Sequence, residues 1–279
     1  MKQLLEINIV VFILIALAYA SMVDNVGDGL QAYNAGNFTK AYQLWLIEAE
    51  KGVSTAQSNL GTMYANGQGV AQSYQEAAKW YHRAAEQGDA NAQNNLGVLY
   101  SLARDVPENY NKAVKWYRKA AEQGHVNAQN DLGFLLENGQ GAARDEKEAV
   151  KWYRMAALQG NAIAQSNLGT MYANGLGVTQ SDREAVKWYQ RAVEQGDAEA
   201  HVNLGNMYFE GSGVAQSYEK AYACWIVAAE KGVDIARKNM DIAKRQMTLE
   251  QIKIGQMLAK QNGKSPGHQQ ASVQRYRQL

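Results

Sequence analysis

The chain has 279 residues, 46% of them hydrophobic, with a formal net charge of +1, 25 glycines and one cysteine. Length and apolar content suffice for a sizeable core. Near-neutrality supplies no bulk positive field for nucleic acid, and a single cysteine excludes an internal disulfide or a cysteine-based zinc cluster.

Residues 1–20 read as a secretory signal. Lys2 opens the segment, Ile9 to Ala18 form an apolar run, and Ala18-Tyr19-Ala20 supply a small-x-small cleavage site before Ser21. The run is about half the ~20 residues that a spanning helix needs. The mature chain is therefore expected to begin after the Ala20/Ser21 junction, in the periplasm or outside the cell, without stable membrane insertion.

From Gly52 onward a fixed period governs the sequence. Gly52, Gly88, Gly124, Gly160, Gly196 and Gly232 stand 36 residues apart, and Gly61, Gly97, Gly133, Gly169 and Gly205 keep the same spacing. A period of this size marks a solenoid built from one supersecondary unit. Residues 21–52 form a degenerate N-terminal capping unit ahead of five 36-residue repeats over 53–232.

Within a unit, Ala56, Leu60, Met63 and Tyr64 make an apolar stripe on a first helix from about Thr55 to Asn66. Ala77, Trp80, Tyr81, Ala84 and Ala85 make another on a second helix, from about Tyr74 to Gln87. Ser73 with Glu76 reads as a capping box, matched by Ser181 with Glu184 and Asp145 with Glu148. Gly67-Gln68-Gly69 and its equivalents provide turns needing positive φ. Gly61 and its equivalents fall inside a helix, where glycine costs up to ~1 kcal/mol, and their recurrence implies close helix–helix approach.

Together, A-x-x-N-L-G-x-x-Y-x-x-G-x-G-V and A-x-K-W-Y-x-x-A-A-x-x-G closely resemble the Sel1-like repeat, a longer relative of the tetratricopeptide repeat, over about Gly52 to Gly232. The resemblance implies an all-α fold, an α/α superhelical solenoid of antiparallel helix pairs coiled to the right. One unit departs: Ser101 to Pro107 replace the glycine turn and require a different backbone. In the glycine frame, Trp80, Trp116, Trp152 and Trp188 align with Leu44 and Cys224, while Trp45 and Trp225 fall on the Tyr81 position. Altered packing residues at the ends fit a capping role.

Residues 233–262 read as C-terminal capping helices. Ile235, Ala236, Ile242 and Ala243 form one stripe, and Thr248 with Gln251 starts a helix carrying Ile252, Met257 and Leu258. Residues 263–279 are expected to be a disordered basic tail. From Lys244 onward seven basic residues face Glu250 alone, whereas residues 21–243 carry 20 basic and 25 acidic residues, a balance of −5.

No constellation for catalysis is found. His82, His125, His201 and His268 lack metal-ligand spacing, and no Gly-x-Ser-x-Gly elbow or P-loop occurs. No cofactor or metal is expected. Ser217 with Lys220 matches Ser-x-x-Lys, the core of serine β-lactamase sites, but Ser217 occupies the helix-cap slot of Ser73 and Ser181. Cys224, in an apolar stretch, reads as a buried inert thiol.

A binding face is the better reading. With Leu60 at the centre of the buried stripe, Ser58, Thr62 and Ala65 point away from it, toward the concave groove of tetratricopeptide-like arrays. At equivalent positions Val98, Phe134, Val202 and Phe209 are apolar where solvent is expected, and exposed apolar clusters mark partner sites. The edge ladder Asn59, Asn95, Asp131, Asn167 and Asn203 either holds an extended peptide or bonds the backbone of the neighbouring unit. The expected function is an exported, non-enzymatic scaffold or adaptor that binds a protein or peptide through its concave face. The resemblance also admits a periplasmic immunity protein that neutralises a secreted toxin, or a secreted factor that binds a host protein. A β-lactamase-type hydrolase is the remote alternative.

Overall fold

The computed structural model describes residues 25–102 and 107–262. The expected signal over 1–20 and its junction, the middle of the Ser101 to Pro107 turn, and the tail over 263–279 lie outside the described residues. Those described contain fourteen helices and no strand, in two compact units divided between Ala128 and Gln129.

In the first unit, α1 (25–34) and α2 (Phe38–Glu50) precede α3 (Ser54–Asn66), α4 (Tyr74–Glu86), α5 (Ala90–Leu102) and α6 (Pro107–Glu122). The helix α7 (Val126–Asn138) begins there and continues into the second unit. The second unit holds α8 (Glu146–Leu158), α9 (Ala162–Asn174), α10 (Asp182–Glu194), α11 (Ala198–Glu210), α12 (Tyr218–Glu230), α13 (Asp234–Lys244) and α14 (Leu249–Asn262). From α2 to α6, and again from α8 to α13, each helix packs on the next, and α14 returns onto α12.

The in-helix glycines have a common cause, and it is an aromatic ring rather than a bare backbone approach. A Cβ on Gly61 would stand 2.5 Å from the Tyr81 ring, and one on Gly169 2.7 Å from Tyr189. At the ends tryptophan takes the place of tyrosine: Trp225 lies on Gly205, and Trp45 lies on Gly29. The capping unit therefore repeats the design of the others, with a shorter link between its helices.

In the turns, Gly67 closes α3 at φ +67. Gly69 needs positive φ and open space together, since a Cβ would meet the Phe38 carbonyl oxygen at 2.7 Å. Ser73, Asp145 and Ser181 each accept the backbone N–H three residues on, as expected of an N-cap. The reciprocal half of the expected box is absent at Ser73. Its N–H donates to the Tyr64 carbonyl at 2.9 Å, and Glu76 pairs with Lys79. Thr248 and Gln251 do form both bonds, at 2.9 and 3.2 Å.

A buried glutamine relay joins neighbouring helix pairs. Gln57 Nε2 donates to the Ala49 carbonyl at 3.0 Å, and Gln57 Oε1 accepts from Gln87 Nε2 at 2.8 Å. Gln165 repeats this with Ala157 and Gln195, at 3.1 and 2.7 Å. Burying a carboxamide is stabilising only when its atoms are satisfied, and here both ends are used.

The C-terminal stripe needs correction. Ala236 and Ala243 are buried, but Ile235 and Ile242 are exposed, as is Met257. The buried line of α13 runs one position further round the helix, and α14 lies on α12, where Ala259 packs with Ala223 and Val227.

Candidate partner-binding face

The first helices of the first unit are built for polar contact on one side. Thr55, Ser58, Asn59 and Thr62 recur at i, i+3, i+4 and i+7 along α3, so they share a face. With Asn91, Asn94 and Asn95 of α5 and Asn127 of α7, they line a cleft of about 350 Å³. Asp89 and His125 complete it from the helix starts.

Both of these act as N-caps. Asp89 Oδ1 accepts from the Ala92 N–H at 2.7 Å, and His125 Nδ1 accepts from Ala128 at 3.2 Å. An accepting Nδ1 belongs to neutral imidazole with its proton on Nε2. Burial holds the His125 pKa below its ordinary value, against smaller opposing effects of its backbone bond and Asp89.

Asn94 is the cleft's unusual member. It is 8% exposed, its Nδ2 donates to Asn95 Oδ1 at 3.3 Å, and its Oδ1 has no hydrogen-bond partner among the described residues. In the second unit the corresponding Asn130 is satisfied. Its Nδ2 donates to Asp131 Oδ1 at 3.0 Å, and its Oδ1 accepts from Asn167 Nδ2 at 3.1 Å. Rungs Asn59, Asn95, Asp131, Asn167 and Asn203 are all half-buried. Asn167 bonds a neighbouring side chain rather than backbone.

The four apolar residues separate by environment. Phe134 is 46% exposed. Val98 is half-buried, and so is Phe209, whose ring lies 5.2 Å from Tyr218 and 5.5 Å from Trp225. Val202 does not face solvent: at 7% exposure it packs with Trp225 and Ala236, in a slot that is equally buried at Ser58, Asn94, Asn130 and Ser166. Asp89, Asn91, His125 and Asn127 were not among the expected binding residues; their signal is the polar run at each helix start.

The catalytic alternatives meet specific geometry. Ser217 Oγ accepts from the Lys220 N–H at 3.3 Å and donates to Glu219 at 2.9 Å, while Lys220 Nζ sits 5.3 Å from the centre of the Tyr208 ring. Cys224 is buried, which pushes its thiol pKa up to about 12 despite the nearby Lys220 charge.

Residues 54–89, 90–125, 126–161, 162–197 and 198–233 each match the Sel1 repeat model. The chain belongs to the Sel1 repeat family. A Sel1 repeat protein from Oxalobacter formigenes is 33% identical, with a TM-score of 0.75 over 85% of this chain and 96% of that one. A protective antigen of uropathogenic Escherichia coli, c5321, is 28% identical with a TM-score of 0.59, over 89% of this chain and 62% of that one. No curated protein matches the chain. The Sel1 repeats thus present an α/α solenoid whose first helices carry the cleft, and no described helix is long and apolar enough to cross a membrane.

Proposed function

We propose that this Sel1 repeat protein is exported and holds a protein or peptide on the face formed by its first helices. The observation that carries the reading is Asn94, which lines the polar cleft and whose buried carboxamide oxygen has no donor among the described residues. Leaving such an oxygen unmade costs about 1–3 kcal/mol, and a partner's N–H offsets that cost on binding. Carboxamides and hydroxyls around it offer donors and acceptors together, the pairing a peptide main chain requires. In the second unit Phe134 supplies an apolar anchor whose burial contributes about 1.5–3 kcal/mol.

A non-enzymatic role is supported by Ser217 serving as a cap with Lys220 turned to Tyr208. Export rests on the apolar run Ile9 to Ala18 and the Ala20/Ser21 junction.

The test is capture from periplasmic extract, culture medium and host-cell extract, with wild type beside Asn94→Leu and Phe134→Ser. A partner held by wild type and weakened at least tenfold in either variant, with helicity unchanged by circular dichroism, is the expected result. Equal retention by all three, or no partner in any extract, would contradict the proposal. Recovery of the chain only in the cytoplasm with residues 1–20 intact would contradict export.

A further inference from the structure

The repeats act as internal controls for one another, and one second helix breaks their pattern. In the glycine register the slot of Glu50, Glu86, Glu122, Glu194 and Glu230 is filled in α8 by Leu158. The slot of Arg83, Lys119 and Arg191 is filled by Met155, and in the end helices α2 and α12 by Ile47 and Val227, but those two keep the glutamate. Elsewhere those cations lie 4.6 Å above the centres of the Trp80, Trp116 and Trp188 rings. In α8 both charges are gone. Met155 is 44% and Leu158 68% exposed, and Trp152 is half-buried where the other three tryptophans are buried.

A third change accompanies these. Lys79 and Lys187 pair with Glu76 and Glu184, each at 2.5 Å. In α8 the corresponding Glu148 accepts from Trp152 Nε1 at 3.1 Å, and Lys151 has no ion pair among the described residues. Lys147, Lys151, Met155 and Leu158 follow one another at i, i+4, i+8 and i+11, on one exposed stripe. The stripe is about 16 Å long at 1.5 Å per residue. It is cationic at its N-terminal end and apolar at its C-terminal end.

We propose that the outer stripe of α8 is a docking site for an acidic amphipathic helix of another protein. Lys147 and Lys151, with no ion pair among the described residues, call for carboxylates, and the adjoining apolar pair calls for aliphatic side chains spaced along the same partner face. On α4, α6 and α10 the same position carries a glutamate, which repels such a partner, so the site is confined to α8. A second copy is the poorer occupant: its own stripe brings two further lysines and no carboxylate. An anionic membrane is also poorer, because the stripe holds two lysines where such a surface calls for a cluster of about four or more basic residues.

The test uses the full chain and a labelled 21-residue synthetic helix with a leucine face flanked by glutamates. Binding is followed by fluorescence anisotropy at low and physiological salt. The key variant is Met155→Arg with Leu158→Glu, which installs side chains that α4 and α10 already carry and so keeps the fold. Wild type is expected to bind the glutamate helix, more tightly at low salt, and to ignore the same helix with lysines. The double variant is expected to lose at least tenfold, and Lys147→Gln with Lys151→Gln to lose the salt dependence. No binding by wild type, or equal binding by the double variant, would overturn the proposal. Stripe-dependent binding to phosphatidylglycerol vesicles, or stripe-dependent dimerisation in place of helix binding, would overturn it equally.

Discussion

At the residue scale, six helices carry a glycine beneath an aromatic ring, from Gly29 under Trp45 to Gly205 under Trp225. Each glycine costs up to ~1 kcal/mol in helix propensity and makes room for a ring that a methyl group would displace. Gly169→Ala is therefore expected to lower stability by about 1–3 kcal/mol, as overpacking does, despite alanine's better propensity. The midpoint of urea unfolding checks this; an increase would contradict it. Asn94 has the opposite expectation. Replacing a buried carboxamide that lacks one partner by isosteric leucine is expected to leave the midpoint unchanged or raise it by up to about 1 kcal/mol, while partner binding falls. A loss of both would make Asn94 a packing residue only.

At the element scale, stacking depends on the glutamine relay as well as on apolar faces. Gln165→Ala strips a buried donor from the Ala157 carbonyl and an acceptor from Gln195. A loss of about 1–3 kcal/mol is expected for the unmade bonds. Hydrogen exchange should report it first at the end of α8 and the start of α9. The start of α7 gives a pH dependence. His125 caps it as neutral imidazole, and burial depresses its pKa in the folded chain. That contribution is complete above the unfolded value of about 6.5 and is lost as pH falls through the lower folded value. Wild type should lose melting temperature from pH 7.5 to 5 more steeply than His125→Asn, whose side chain is the cap already used at Asn161. Equal slopes would remove His125 from the account of acid sensitivity.

Helix pairs and turns were legible because the 36-residue register fixes the period, the caps and the ring positions several times over. What the register does not encode is where it stops. Ile235 and Ile242 were expected inside for want of the path that α14 takes onto α12, whereas Val202 was misplaced for another reason: its slot is buried in every repeat, at Ser58 and Ser166 as well. The Asn94 oxygen was legible in the register: Asn167 supplies the donor to Asn130, and the rung that stands in the same relation to Asn94 is Asp131, which has no side-chain N–H.

At the scale of the whole molecule, the chain is a Sel1 repeat solenoid in two compact units, with its polar cleft on first helices and its one doubly apolar departure on α8. The repeat supplies the scaffold, and single positions within it distinguish one surface from another. Because each repeat mainly contacts its neighbours, surface substitutions on one face can be made without disturbing another. That allows the binding face to be mapped in the cell. The most direct measurement places a photo-crosslinking benzoylphenylalanine at Asn59 and at Phe134, on first helices, and at Glu86 and Glu194, on second helices. The expected result is a discrete protein adduct from positions 59 and 134 and none from 86 and 194. Adducts from 86 and 194 alone, or none from 59 and 134, would contradict the assignment of partner binding to the first-helix face.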